Sequence, residues 1–238
     1  MRLALIALPA ALLAACNAGG PAAADNGGGG RDVRQFSAAG FDRVALRGPD
    51  DVTVRVGPAV SVRAEGDRAV LDRLEVSVVD GELRLARRKE GWNSNTRGSA
   101  RFIVTLPALR GATVAGSGNM SVDHAKAREF AASIAGSGNL GVGAVEGETV
   151  DLSVNGSGNL TVAGSTRTVS GSINGSGSIR GQGLKADTAS ISIAGSGDAD
   201  LTARSTAAIS VIGSGNATVT GGAKCTIRRV GSGGANCS

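Results

Sequence analysis

Ser133-Ile-Ala-Gly-Ser-Gly-Asn-Leu-Gly-Val142 is followed, 20 residues on, by Ser153-Val-Asn-Gly-Ser-Gly-Asn-Leu-Thr-Val162. The same phrase runs through the second half of the chain. Its Gly-Ser-Gly-Asn core, or a close variant, starts at Gly116, Gly136, Gly156, Gly175, Gly195, Gly213 and Gly231, in steps of 20, 20, 19, 20, 18 and 18 residues. A fixed period of that size marks a stacked-repeat architecture, in which each coil buries its apolar face against its neighbours. On both sides of the tetrapeptide, aliphatic residues alternate with small polar ones, the period of two that belongs to half-buried strands. The glycines permit positive φ at a corner, where Asn and Asp are the next most tolerant residues. Each repeat therefore reads as strand, corner, strand and variable return.

The pattern predicts an all-β chain, a single-stranded right-handed parallel β-helix with coils of about 18–20 residues and little or no α-helix. The hand follows the usual chirality of parallel crossovers. Coils stacked about 4.8 Å apart bring successive corners into register. Asn119, Asn139, Asn159, Asp198 and Asn216 then form one column. We read it as a structural ladder of buried amides, as in other stacked in-register strands, and not as a ligand site. On this reading Asn139 and Asn159, in mid-stack, contribute more than Asn119 beside the less regular coils.

Composition agrees with a narrow aliphatic core in the array. All five aromatic residues (Phe36, Phe41, Trp92, Phe102 and Phe130) lie in the first 130 positions, and the last proline is Pro107. No proline interrupts the ladders beyond it.

The chain opens Met1-Arg-Leu-Ala-Leu-Ile-Ala-Leu-Pro-Ala-Ala-Leu-Leu-Ala-Ala-Cys16. One basic residue before an apolar run too short to span a bilayer reads as a processing signal over residues 1–15. Leu13-Ala14-Ala15-Cys16 looks like a bacterial lipobox, which implies acylation at Cys16 and partnership with a membrane through the lipid. Asn17 is not the Asp that holds many Gram-negative lipoproteins at the inner membrane, so the outer membrane is favoured. Residues 16–32 are rich in Gly and Ala, the composition of a flexible tether. The remaining cysteines, Cys225 and Cys237, are expected to form a disulfide that caps the last corner, as paired cysteines do outside the cytoplasm.

The fold is expected to span 33–238, with irregular opening coils over 33–110 and regular repeats over 111–238. Val44-Ala-Leu-Arg-Gly-Pro-Asp-Asp-Val-Thr-Val-Arg-Val56 copies the repeat grammar, with Gly48-Pro49-Asp50-Asp51 in place of Gly-Ser-Gly-Asn. Leu74–Leu85 reads as strand, Asp80-Gly81 turn, strand. We read these as opening coils continuous with the array.

Several of these segments carry a family likeness: Phe41-Asp42-x-Val44, Gly48 with Asp51-Val-Thr-Val54, Ala64-Glu65-Gly66-Asp67, Leu83-Arg-Leu85, Val104-Thr-Leu-Pro107 and the Gly-Ser-Gly-Asn corners. Together they resemble the head GIN domain family, whose members carry an autotransporter-adhesin label and occur in bacterial surface and periplasmic proteins. The resemblance covers about 200 residues. It implies a parallel β-helix in the cell envelope and no reaction, cofactor or catalytic residue.

The residues themselves point the same way. The one histidine, His124, has no nucleophile elbow beside it, and no Cys/His cluster has metal-ligand spacing. Carbohydrate-active β-helices need clustered carboxylates, and the best candidate is Asp198 with Asp200, with Asp187 stacking beside them. That is thin support for catalysis, so the expectation is no catalytic site, no metal and no cofactor. A glycan- or anionic-polymer-binding module is the alternative. Its candidate patch is the basic loop holding Arg87, Arg88, Lys89, Trp92 and Arg97. Residues 31–110 carry 15 basic and 11 acidic side chains against 9 and 8 in 111–238, and there is no tyrosine. That modest charge and the shortage of stacking aromatics argue against nucleic acid. The reading that remains is a lipid-anchored adhesin-like or structural scaffold, whose partner is an envelope protein or glycan.

Overall fold

Stacked parallel strands form a β-solenoid in this computed structural model, which describes residues 32–88 and 98–238. The opening part contains β1 (Asp32–Phe36), β2 (Arg43–Arg47), β3 (Asp51–Val56), β4 (Ser61–Gly66), the four-residue helix α1 (Arg68–Leu71), β5 (Leu74–Val79), β6 (Glu82–Arg87) and β7 (Ala100–Leu106). The array begins with β8 (Gly111–Gly116), β9 (Asn119–Val122), β10 (Ala125–Lys126), β11 (Glu129–Gly136) and β12 (Asn139–Gly156). It continues with β13 (Asn159–Gly175), β14 (Ser178–Gly195), β15 (Asp198–Gly213), β16 (Asn216–Thr220), β17 (Lys224–Val230) and β18 (Gly234–Cys237).

In the array each residue pairs with the one a repeat away, Ile134 with Val154, Asn139 with Asn159 and Gly156 with Gly175. Alternation along each strand sends every second side chain inward. Val114, Ile134, Val154, Ile173, Ile193 and Val211 make one continuous buried column, and Met120, Leu140, Leu160 and Ile179 another. Burying each such side chain is worth about 1.5–3 kcal/mol. A one-residue slip would turn every one of them outward, so the register is strongly specified.

The corners explain why two glycines recur. Gly136 has φ +135°, and a Cβ there would lie on the Gly116 carbonyl oxygen. Gly138 has no such φ, yet its Cβ would lie on the Gly118 carbonyl oxygen. The first glycine answers to backbone conformation and close approach, the second to close approach alone. That approach allows the Gly116 carbonyl to accept from both Ser137 and Gly138 N–H at 3.0 Å, a pattern repeated at Gly136, Gly156 and Gly195.

The opening coils do not follow chain order. β2 pairs in parallel with β6 on one side and β8 on the other, and β3 likewise lies between β7 and β9. The chain lays down the β2–β3 coil and leaves it through β4, α1 and β5. It then builds the β6–β7 coil on the far side and crosses back to start the array at β8. At this end the order of stacking thus departs from the order of the chain. The physical reason is the exposed end of a parallel stack, whose open hydrogen-bonding edge needs a partner. Antiparallel strands supply it: β4 on β7, β1 on β4 and β5 on β6. Asp80 and Gly81, both at positive φ, make the tight turn of the last hairpin. Phe102, fully buried and 6.4 Å from Phe36, fills the core at this end.

Candidate functional site

The Asn column is a hydrogen-bonded chain with a direction. Asn159 Nδ2 donates to Asn139 Oδ1 at 2.9 Å, Asn139 Nδ2 to Asn119 Oδ1 at 2.7 Å, and Asn119 Nδ2 to Asp51 Oδ1 at 3.0 Å. Ser178 Oγ begins the run by donating to Asn159 Oδ1 at 2.6 Å. A second, shorter run has Asn216 Nδ2 donating to Asp198 Oδ1 at 2.9 Å, while Asn216 Oδ1 accepts the Gly234 N–H at 3.1 Å. Every amide in the first run points its N–H toward the carboxylate of Asp51. Asp51 and Ser178 are members that the sequence reading missed, although the Gly48-Pro49-Asp50-Asp51 alignment contained the signal for the first. The ladder is also not buried. Asn119, Asn139, Asp198 and Asn216 are exposed, and Asn159 and Ser178 half-buried. Each ladder residue precedes an inward-facing one, Met120, Leu140, Leu160 or Ile179, so strand alternation turns its side chain outward.

One corner differs. Asp50 stands where the second glycine stands in the repeats, and it is 1% exposed. Its carboxylate accepts from Arg87 Nε at 2.7 Å, from Arg87 Nη2, and from the Ala100 N–H at 2.9 Å. Arg87 also donates to the Gly98 carbonyl at 3.0 Å. The hydrogen bonds to Asp50 raise the Arg87 pKa above its ordinary value, partly offset by burial.

This arrangement changes the reading of the basic patch. Arg87, assigned to it from the sequence, is committed to Asp50 and Gly98. Arg88 is exposed and donates to the Asp72 carbonyl at 2.6 Å. Lys89, Trp92 and Arg97 lie outside the described residues, as does Cys16.

Carboxylates do not converge either. Asp198 and Asp200 share a strand face, but Asp200 pairs in register with Arg180 on the coil below. Thr168 pairs with Thr188, which sets Asp187 opposite Arg167 on the return side of the coil and not beside Asp198. His124 is exposed in a turn with Nδ1 3.3 Å from Asp123. Among the described residues no group of three His, Cys, Asp or Glu side chains is placed to hold a metal ion. A cleft of about 590 Å³ between β1 and β4 is lined by Phe36, Val60, Val62 and Arg63.

At the other end, Cys225 and Cys237 form a disulfide with Cα atoms 6.4 Å apart. They sit above Ala207 and Val219, both core positions, so the bridge crosses the mouth of the solenoid. Among the described residues no helix is long and apolar enough to cross a membrane.

Solved structures share this architecture. A "putative adhesin" from Bacteroides fragilis superposes with a TM-score of 0.78 at 18% identity, covering 87% of this chain and 97% of that one. A "putative lipid binding protein" from Parabacteroides distasonis gives 0.70 at 21% identity over 88% and 97%. A "putative adhesin" from Parabacteroides merdae gives 0.70 at 16% identity over 88% and 97%. At these identities the likeness is one of fold. No curated protein matches the sequence. Residues 40–223 match the family described as "Putative auto-transporter adhesin, head GIN domain", and the chain belongs to that family.

Proposed function

We propose that this chain is a non-catalytic, lipid-anchored protein of the bacterial cell envelope, at the outer membrane, whose solenoid is an adhesin-like or structural scaffold. One observation carries the reading. The outward columns are small and polar over many coils: Ser133, Ser153, Ser172, Ser192 and Ser210 in one, the Asn ladder in another. Such flat faces suit many weak, distributed contacts with an envelope protein or glycan, and they lack the concave apolar site that a small substrate needs. The carboxylates Asp187, Asp198 and Asp200 stand on different sides or face a basic residue, so the reading includes no reaction. The anchor rests on Leu13-Ala14-Ala15-Cys16 and the Gly/Ala-rich stretch after it. Three acyl chains would hold the protein where one would be marginal.

The test pairs fractionation with mass spectrometry. Protein extracted from membranes should begin at an acylated Cys16, and a Cys16→Ala chain should carry no lipid. Recovery of Cys16→Ala as a processed, lipid-bearing protein overturns the anchor. Turnover of a polysaccharide by the purified wild-type chain overturns the scaffold.

A further inference from the structure

We propose that the solenoid end formed by β17 and β18 docks on an anionic phospholipid surface. Beyond Asp200 the sequence contains Arg204, Lys224, Arg228 and Arg229 and no Asp or Glu. All four basic residues are exposed. Of the seven large exposed hydrophobic side chains among the described residues, three, including both isoleucines, lie at the same place. Ile212 and Val230, 56% and 68% exposed, pair in register on one outward column, and Ile227 adds 41% at the open mouth beside the disulfide. Lower in the Ile212 column the residues are Ala135, Asn155, Asn174 and Ala194. Large aliphatic side chains therefore appear only where the charge becomes purely basic. Two of the exposed valines elsewhere have acidic neighbours, Val33 next to Asp32 and Val79 next to Asp80.

Apolar side chains framed by cations fit the boundary between anionic headgroups and acyl chains. The alternative occupants fit less well. A second copy joined end to end would set Lys224, Arg228 and Arg229 against their own mates. Addition of a partner strand is opposed by Arg229, which takes the inward position held by Val211 one coil earlier and donates to the Gly233 carbonyl at 3.3 Å. The surface acts independently of any acyl group on Cys16.

The test uses the chain from residue 17 onward, so that neither the apolar residues 1–15 nor an acyl chain contributes. Vesicles of phosphatidylcholine containing about one-third phosphatidylglycerol should co-sediment the protein, pure phosphatidylcholine should not, and salt should release it. Each neutralised charge should weaken partition about fivefold, so Lys224→Gln with Arg228→Gln should lower it roughly 25-fold. Val230→Ser should lower it several-fold, with the melting temperature of each variant unchanged. Lys126→Gln with Arg128→Gln, on the array's return side, should bind as the parent does. Equal binding to both vesicle types, full binding by the Lys224/Arg228 variant, or equal loss in the Lys126/Arg128 variant overturns the proposal. Binding to a soluble polyanion without binding to vesicles does so too.

Discussion

Asp50 and Arg87, 37 residues apart in the chain, meet on adjoining coils through two nearly parallel hydrogen bonds from Nε and Nη2 to the two carboxylate oxygens. The pair closes the end of the glycine-lined corner column. It replaces the carbonyl-to-amide contacts that bind one corner to the next elsewhere.

Removing one partner should be costly. Asp50→Ala removes the carboxylate from the Arg87 guanidinium, which keeps the Gly98 carbonyl, and from the Ala100 N–H, a loss of about 3 kcal/mol for a largely buried pair. Chemical denaturation should show that drop, with Asp50→Asn in between. A stability equal to wild type would mean that the pair is incidental.

Asn119→Ala and Asn139→Ala should be equally damaging, about 1 kcal/mol each, because each side chain has a partner above and below. Ser178→Ala, at the start of the run, should cost about half that. For a chain of this size 1 kcal/mol is a shift of about 2–4 °C in Tm. Calorimetry that ranks Asn119 well below Asn139 would show that Asp51 is no part of the ladder.

The two kinds of glycine should separate cleanly. Gly138→Ala puts a methyl group on the Gly118 carbonyl oxygen and should destabilise by more than about 2 kcal/mol. Gly141→Ala, with open space around its Cβ, should stabilise by about 0.5 kcal/mol through the unfolded chain. Similar melting temperatures for the two variants would refute the corner argument.

Cys225→Ser should loosen the end of the stack without unfolding the array. A bridge closing a 12-residue separation contributes on the order of 2–3 kcal/mol. Hydrogen exchange should rise in β17 and β18 and stay low in β12 and β13. Uniform loss of protection along the solenoid would contradict this.

The array was legible in the sequence because its rules are local. Alternation sets which side chains go inward, the period sets the partner, and even Gly48-Pro49-Asp50-Asp51 falls over Gly116-Ser-Gly-Asn119 as its letters suggest. Coil order was not legible. Whether β2 has β6 or β8 for a neighbour depends on which edges remain open, and no residue in β2 encodes that. Arg87 was read as part of an exposed basic binding patch because arginine is usually exposed. Its acceptor, Asp50, lies far away in sequence at a position that passed for another turn residue. The ladder's exposure was missed for a related reason: periodicity identifies the column but not the direction in which a corner turns its side chains.

The enclosed position of the β2–β3 coil has a consequence for how the chain acquires its structure. Arg47 meets Ala115 across 68 positions, whereas Ala135 meets Asn155 across 20. Long closures are slow and short ones fast. A chain emerging from its N-terminus must hold one edge of β2 and β3 unpaired until β8 and β9 have appeared. After that, each new coil finds a finished template directly beneath it. Assembly should thus show one slow nucleating event near the beginning and rapid zippering afterwards. Damage to the opening segment would stall the whole molecule, and damage to a late repeat would shorten it.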